Sequence, residues 1–208
     1  MTTPPRTFLF DIGRVLLDFD FHASLIRLIP DHIPQPLQLI DKVLERKDAL
    51  ETGLIDPASY ARWALNMLAS DATEEQFYHA WRHIFTPNEP MWNRVREFEK
   101  HHRLILISNI NAIHCPWIFT AYPEFGCFKY KVLSYEVGIL KPELGIYQHA
   151  IDSFQLDSAS TIYIDDHAPN IDIGKKFGFQ CWQYDLVNHR AFEQWLDEIL
   201  AETCTANA

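Results

Sequence analysis

Four short clusters hold the residues able to do chemistry. Asp11 interrupts the apolar stretch FLFDIGRVLLDFD at residues 8–20, Ser108-Asn109 follow LILI, Lys141 precedes Pro142, and Asp165-Asp166 follow TIYI. Asp11, Asp165 and Asp166 would repel one another if neighbours, unless a cation sat between them. Hard oxygen ligands with room for water describe a Mg2+ site. Ser108 and Asn109 offer a hydroxyl, an amide and backbone N–H groups to phosphate oxygens, and Lys141 can reach an anionic substrate or a nucleophilic carboxylate. Together these groups suit phosphoryl transfer through an aspartyl-phosphate. Each alone is ordinary, because Asp, Ser and Asn are common in turns and caps. Their weight comes from their company.

The elements that would bring them together are legible in outline. Residues 7–17 begin as a buried strand and pass into a loop at Asp11, and LILIS at 104–108 is a second short apolar run. Between them the signals are helical. PQPLQLIDKVLERKDALETG reads as one helix closed by Gly53, Asp56-Pro57 open a second, and Thr73 with Gln76 form a capping-box spacing for a third. Strand and helix then alternate. Helices are expected over 90–101, 142–154 (with Pro142 in its first turn) and 168–177 (closed by Gly178), strands at 161–166 and 179–185, and a final helix from Asn188 to about residue 201. That alternation predicts an α/β fold with a parallel sheet, in which ligands sit beyond the carboxyl ends of the strands. Asp11, Ser108-Asn109 and Asp165-Asp166 all stand at such ends. The expected organisation is a core of residues 1–17 and 89–208 with a helical insertion over 18–88.

Bulk properties exclude several classes. The chain has 208 residues, 48% hydrophobic, with 18 Lys plus Arg against 28 Asp plus Glu. It can bury a full core, and it has no basic footprint for nucleic acid or anionic lipid. Cys115, Cys127, Cys181 and Cys204 form no CxxC pair, so neither a zinc knuckle nor a redox motif is expected, and Cys204 is placed in a loose tail. The opening MTTPPRTF lacks signal-peptide character and no apolar run approaches a membrane span. The expectation is a cytoplasmic protein, monomer or homodimer, acting on a small molecule.

In order, FDIGRV, Ser108-Asn109, Lys141-Pro142 and IDDHAPN at 164–170 resemble the four motifs of the haloacid dehalogenase superfamily, and they span nearly the whole chain. FDIGRVLLDFDF, SNIN, YPEF and GILKPELGIYQHAI further resemble the bacterial glucose-1-phosphate phosphatase branch. The resemblance implies a Rossmann-like parallel core with an inserted helical cap, and a Mg2+-dependent phosphatase for a small phosphomonoester such as a hexose 1-phosphate. It implies Asp11 as nucleophile and metal ligand, Asp166 as direct ligand with Asp165 assisting, and a metal-binding carbonyl at Gly13. Ser108, Asn109 and Lys141 would hold the phosphoryl group, and Asn170 would orient the metal's waters.

Two positions depart from the family pattern. Gly13 stands where family phosphatases carry a second aspartate as general acid and base, and Arg14 stands where glycine is usual. Arg14 adds charge near the phosphate or points into the cap. His167 and His22 are candidate substitute acids. Gly13 also leaves open a 2-haloacid dehalogenase, or a catalytically weak phosphate-binding homologue. His79 and His83 read as a surface pair, and Trp63, Trp81 and Phe85 as cap core.

Overall fold

The computed structural model describes residues 5–205, and their side chains to residue 201. In chain order the elements are β1 (Thr7–Phe10), β2 (Leu17–Phe19), α1 (Phe21–Leu25), α2 (Pro36–Glu45), α3 (Lys47–Glu51), α4 (Pro57–Met67), α5 (Glu74–Arg82), β3 (Phe85–Pro87) and α6 (Glu89–Phe98). They continue with β4 (Arg103–Ser108), α7 (His114–Ala121), β5 (Tyr130–Leu133), α8 (Ser134–Val137), α9 (Leu144–Phe154), β6 (Thr161–Asp165), α10 (Ala168–Lys176), β7 (Gln180–Gln183) and α11 (His189–Thr205).

Five strands form one parallel sheet in the order β5-β4-β1-β6-β7. The central strands are apolar through their middles, FLF, LILI and IYI, because helices cover both faces. Phe8, Phe10, Leu106 and Ile164 point to a face packed by Phe98, Ile118 and Phe192, while Leu9, Ile105 and Tyr163 meet Tyr147 and Ile171 on the other. Register is what assembles the site. Phe10 pairs with Leu106 on one side and Ile164 on the other, so the residues following β1, β4 and β6 emerge along a single edge.

A further hydrophobic cluster joins Leu25, Ile40, Val43, Leu50, Tyr60, Phe77 and Trp81 of α1–α5 with Ile113. The connection between these helices and the sheet is an antiparallel ribbon of β2 and β3, with Phe19 opposite Phe85. Local chemistry starts the helices as expected: Asp56 caps α4 with Pro57 in its first turn, and Thr73 and Gln76 form the capping box of α5.

Several expectations are corrected. The single helix predicted over 34–53 is two, broken at Arg46, whose guanidinium lies 4.7 Å from the Trp63 ring. The edge strand β5 was not anticipated, since KYKVL alternates only weakly and its first two residues are exposed. Pro142 does not open a helix: the Lys141–Pro142 peptide is cis and α9 begins at Leu144. Phe85 packs against the sheet's cluster and not among the cap helices. Backbone at Cys204 is helical, not a loose tail, and its side chain lies outside the described residues. Cys115, Cys127 and Cys181 are free thiols.

α3 is fastened to the core at its end. Gly53 has φ +71°, and a Cβ there would lie 2.7 Å from the Tyr135 carbonyl oxygen. Both the left-handed backbone and the close approach require glycine. Gly53→Ala is expected to destabilise the protein by about 2 kcal/mol or more, read as a lower midpoint in urea; an unchanged midpoint would mean that this loop does not press on the core.

Candidate active site

Asp11 is fixed where β1 ends, its N–H donating to the Ile164 carbonyl at 3.0 Å. Beyond it the chain curls tightly. Leu16 and Leu17 N–H both donate to the Ile12 carbonyl, and Arg14, with φ 57°, donates to that of Leu17. The buried carbonyls this creates are satisfied from outside: Asn88 Nδ2 donates to Val15 at 2.7 Å, and Trp92 Nε1 to Leu16 at 3.0 Å. A left-handed arginine costs about 1–2 kcal/mol. Its guanidinium is engaged locally, 2.6 Å from Asp18 Oδ1 and stacked on Phe19.

The centre of the site is one ammonium between two carboxylates. Lys141 Nζ lies 2.8 Å from Asp11 Oδ1 and 2.6 Å from Asp165 Oδ2, with the Lys141 and Asp165 side chains 1% and 0% exposed. Burial alone would discharge the lysine, but the two carboxylates hold it protonated, above its ordinary range. Ser108 Oγ donates to Asp11 Oδ1 at 2.7 Å. Asp165 is fully occupied: Lys141 and Tyr163 hydroxyl donate to Oδ2, His167 N–H and Asn170 Nδ2 to Oδ1. Burial works against its charge, yet Lys141 and these donors hold its pKa below the usual carboxylate range. Asn109 lines the cleft, but its amide is engaged with the Lys141 backbone. Its Nδ2 donates to the Lys141 carbonyl at 2.9 Å and its Oδ1 accepts from Lys141 N–H at 2.8 Å, so the amide sets the lysine's backbone.

Asp166 stands differently. Oxygens of Asp11, Asp165 and Asp166 lie within 4.8 Å of one another. Burial, then Asp11 and Asp165, push the Asp166 carboxyl up to about 6. Asp11 is also pushed up, by burial and Asp165 against the pull of Lys141. Both carboxyls stand above their ordinary range, first through burial and then through neighbouring carboxylates, and Asn170 Oδ1 is buried beside Asp165 with no partner. An all-oxygen donor set of this kind fits a hard divalent cation. Because Asp165 has no lone pair facing away from its four donors, Asp11 and Asp166 are the carboxylates free to hold one.

These groups open into a cleft of about 160 Å3 lined also by Gly13, Arg14, Phe19, Phe21, Phe85, His114 and, from α3, Lys47 and Glu51. Ligand pockets for drug-sized molecules are larger, roughly 300–1,000 Å3. The space beside Gly13 is taken by an aromatic ring, since a Cβ there would meet Phe19 Cε1 at 3.0 Å. His22 pairs with Asp41 at 2.9 Å, and His167 is exposed at the start of α10; neither lines the cleft. His79 and His83 stack on each other on the surface of α5, away from the site. Lys47, Glu51 and His114 escaped the sequence reading. The first two are spaced four apart within a charged helical stretch, which looks like a solvated pair.

No protein-family model matches the chain. A D-ribitol-5-phosphate phosphatase of Bacteroides thetaiotaomicron is 25% identical over 190 residues, covering 86% of this chain and 91% of that one. Among solved structures, a HAD family enzyme from the same organism superposes with TM-score 0.76 at 22% identity over 88% of this chain and 95% of that one. It has also been solved with magnesium and inorganic phosphate. A HAD-like hydrolase from Porphyromonas gingivalis gives 0.74 at 19% identity, over 92% and 98%. The chain has the HAD fold.

Within that fold the Lys141 pairing is the interaction most exposed to a single change. Asp165→Asn presents an amide to the Lys141 ammonium and the Tyr163 hydroxyl, both donors, and strands the buried charge. A loss of about 3–5 kcal/mol in urea unfolding is expected; wild-type stability would mean that Asp11 alone suffices to hold Lys141.

Proposed function

We propose that the protein is a Mg2+-dependent phosphatase of the HAD type, acting on a small phosphorylated sugar or polyol through an aspartyl-phosphate. The observation that carries the reading is the Asp11 carboxylate, held by Lys141 and Ser108 at the edge of a three-carboxylate cluster. An Asp11 oxygen attacks phosphorus, and the bond to the ester oxygen breaks. Lys141 and the Ser108 hydroxyl orient Asp11 and steady the phosphoryl oxygens. Asp11 and Asp166 would hold the ion, with the Gly13 carbonyl as the family resemblance implies. Bound Mg2+ supplies neutralisation of the charge that gathers on the phosphoryl group. Residues 18–88 serve as the cap that closes the cleft, and the cleft's size favours a short leaving group.

The relative that acts on D-ribitol 5-phosphate supports a polyol or sugar phosphate as substrate. A hexose 1-phosphate belongs to the same class and is the other ester to test. The dehalogenase alternative has only Gly13 in its favour, and a cluster of three carboxylates has little use in displacing halide.

A screen of phosphorylated sugars and polyols with and without Mg2+ tests the proposal. Release of phosphate that needs Mg2+ and disappears in Asp11→Asn is expected; retained turnover in that variant would remove Asp11 from its role. Metal binding has its own readout. Ionising Asp166 costs stability as pH rises from its ordinary 3.8 to about 6, because the carboxyl ionises more readily in the unfolded chain. A bound cation offsets that cost. Mg2+ is therefore expected to raise the melting temperature at pH 7 and to lose this effect as pH falls below about 6; no Mg2+-dependent shift at pH 7 would count against the metal site.

A further inference from the structure

Phosphoryl transfer needs a proton at the leaving oxygen, and position 13 supplies none. Among the described residues, the titratable side chains lining the cleft are Asp11, Arg14, Lys47, Glu51, His114 and Asp166. Asp11 is the nucleophile and Asp166 faces the ion. Arg14 is committed to Asp18. His114 uses both ring nitrogens, Nε2 on the Trp81 carbonyl at 2.8 Å and Nδ1 on the Asn111 amide at 3.0 Å, and burial pushes its pKa down to about 3. It is neutral and holds no spare proton. Lys47 Nζ is spent on Glu51 Oε2 at 2.5 Å, whereas the other oxygen of that carboxyl, Oε1, accepts no hydrogen bond among the described residues. Glu51 remains, a carboxyl 5% exposed at the end of α3 that lines the same cleft as Asp11.

We infer that Glu51 donates the proton to the leaving-group oxygen and then serves as the base that activates water, replacing from the cap the acid missing at Gly13. The inference rests on the phosphatase reading. In the first half-reaction an Asp11 oxygen forms a bond to phosphorus, the phosphorus–ester oxygen bond breaks, and the Glu51 proton passes to that oxygen to release the alcohol. In the second, water attacks phosphorus, its proton returns to Glu51, and the Asp11–phosphorus bond breaks to give inorganic phosphate.

The surroundings suit a group that gives and takes a proton. Burial pushes the Glu51 carboxyl up against the pull of Lys47, with Asp48 on the same helix and Asp11 from β1 adding to the push. From α4, Tyr60 donates its hydroxyl to the Val43 carbonyl and stays neutral. From α8, Ser134 Oγ donates at 2.6 Å to the Glu51 main-chain carbonyl, leaving the carboxyl untouched. That bond, with Gly53 against Tyr135, fixes the acid relative to the core. A carboxyl acid and base of this kind contributes about 10²–10⁴-fold.

General acid help matters most where the departing oxygen is most basic, so the test compares esters. Wild type and Glu51→Gln are assayed with Mg2+ on p-nitrophenyl phosphate and on the best alkyl phosphate from the screen. Expected is a loss of at least about 10²-fold on the alkyl ester and a much smaller one on the aryl ester. The high-pH limb of kcat/KM should disappear, since activity falls as Glu51 ionises. Lys47→Met removes the cation that favours ionised Glu51 and should move that limb to higher pH, which keeps the inference testable if Glu51→Gln fails to fold. Equal losses on both esters, a rise in KM alone, or a limb unmoved by Lys47→Met overturns the inference while the phosphatase reading stands. Wild-type hydrolysis of aryl but not alkyl phosphates overturns it as well. No Mg2+-dependent hydrolysis of any ester overturns both.

Discussion

The buried ammonium of Lys141, shared by Asp11 from one strand end and Asp165 from another, is the constraint on which the rest of the site depends. Charges this deep cost several kcal/mol each to strip of water, and attraction repays that only when the remaining lone pairs and protons are satisfied. Asp165 meets the condition with four donors and Asp11 with the Ser108 hydroxyl. Much of the neighbouring polar chemistry exists to keep that arrangement. Asn109 clamps the Lys141 backbone, Asn170 and the His167 N–H hold Asp165, and Tyr163 reaches it from within its own strand. The Asp11 carboxylate is therefore held in one orientation.

Three carboxylates against one ammonium leave two negative charges in excess, and Asp11 and Asp166 are both held above their ordinary pKa, first by burial and then by neighbouring carboxylates. The deficit matches a divalent cation. In the proposed reaction a phosphoryl group would bring more negative charge, against which a bound ion, Lys141 and the Ser108 hydroxyl would work in the same sense. Arg14 contributes less than its position suggests, because Asp18 and the Phe19 face already engage its guanidinium.

The helical part meets this centre at few points, and those are specific. Ser134 reaches the Glu51 carbonyl, Gly53 lies against Tyr135, and His114 of α7 accepts from Asn111 and donates to Trp81 of α5. Phe19 fills the volume beside Gly13. The cleft thus has an aromatic wall on the side where a neighbouring carboxylate would stand and a carboxyl on the cap side.

The sequence alone predicted the parallel α/β core and a helical stretch between its first strands, and it singled out Asp11, Ser108, Lys141, Asp165 and Asp166, which the fold brings together, because apolar runs, caps and motif order are local signals. It also placed the caps of α4 and α5, whose hydrogen bonds span only three residues. Tertiary structure decided what each residue is free to do. Asp165 and Asp166 are adjacent and chemically identical in the sequence, yet only packing saturates the first with donors and leaves the second facing the cleft. Asn109 looked like a phosphate donor until its amide met the Lys141 backbone, 32 residues away. Lys47 and Glu51 read as a solvated helical pair because their i,i+4 spacing is the same on any helix. Burial, and with it function, depends on which face a helix turns to the core, and that is set by contacts such as Gly53 on Tyr135 that join residues distant in the chain.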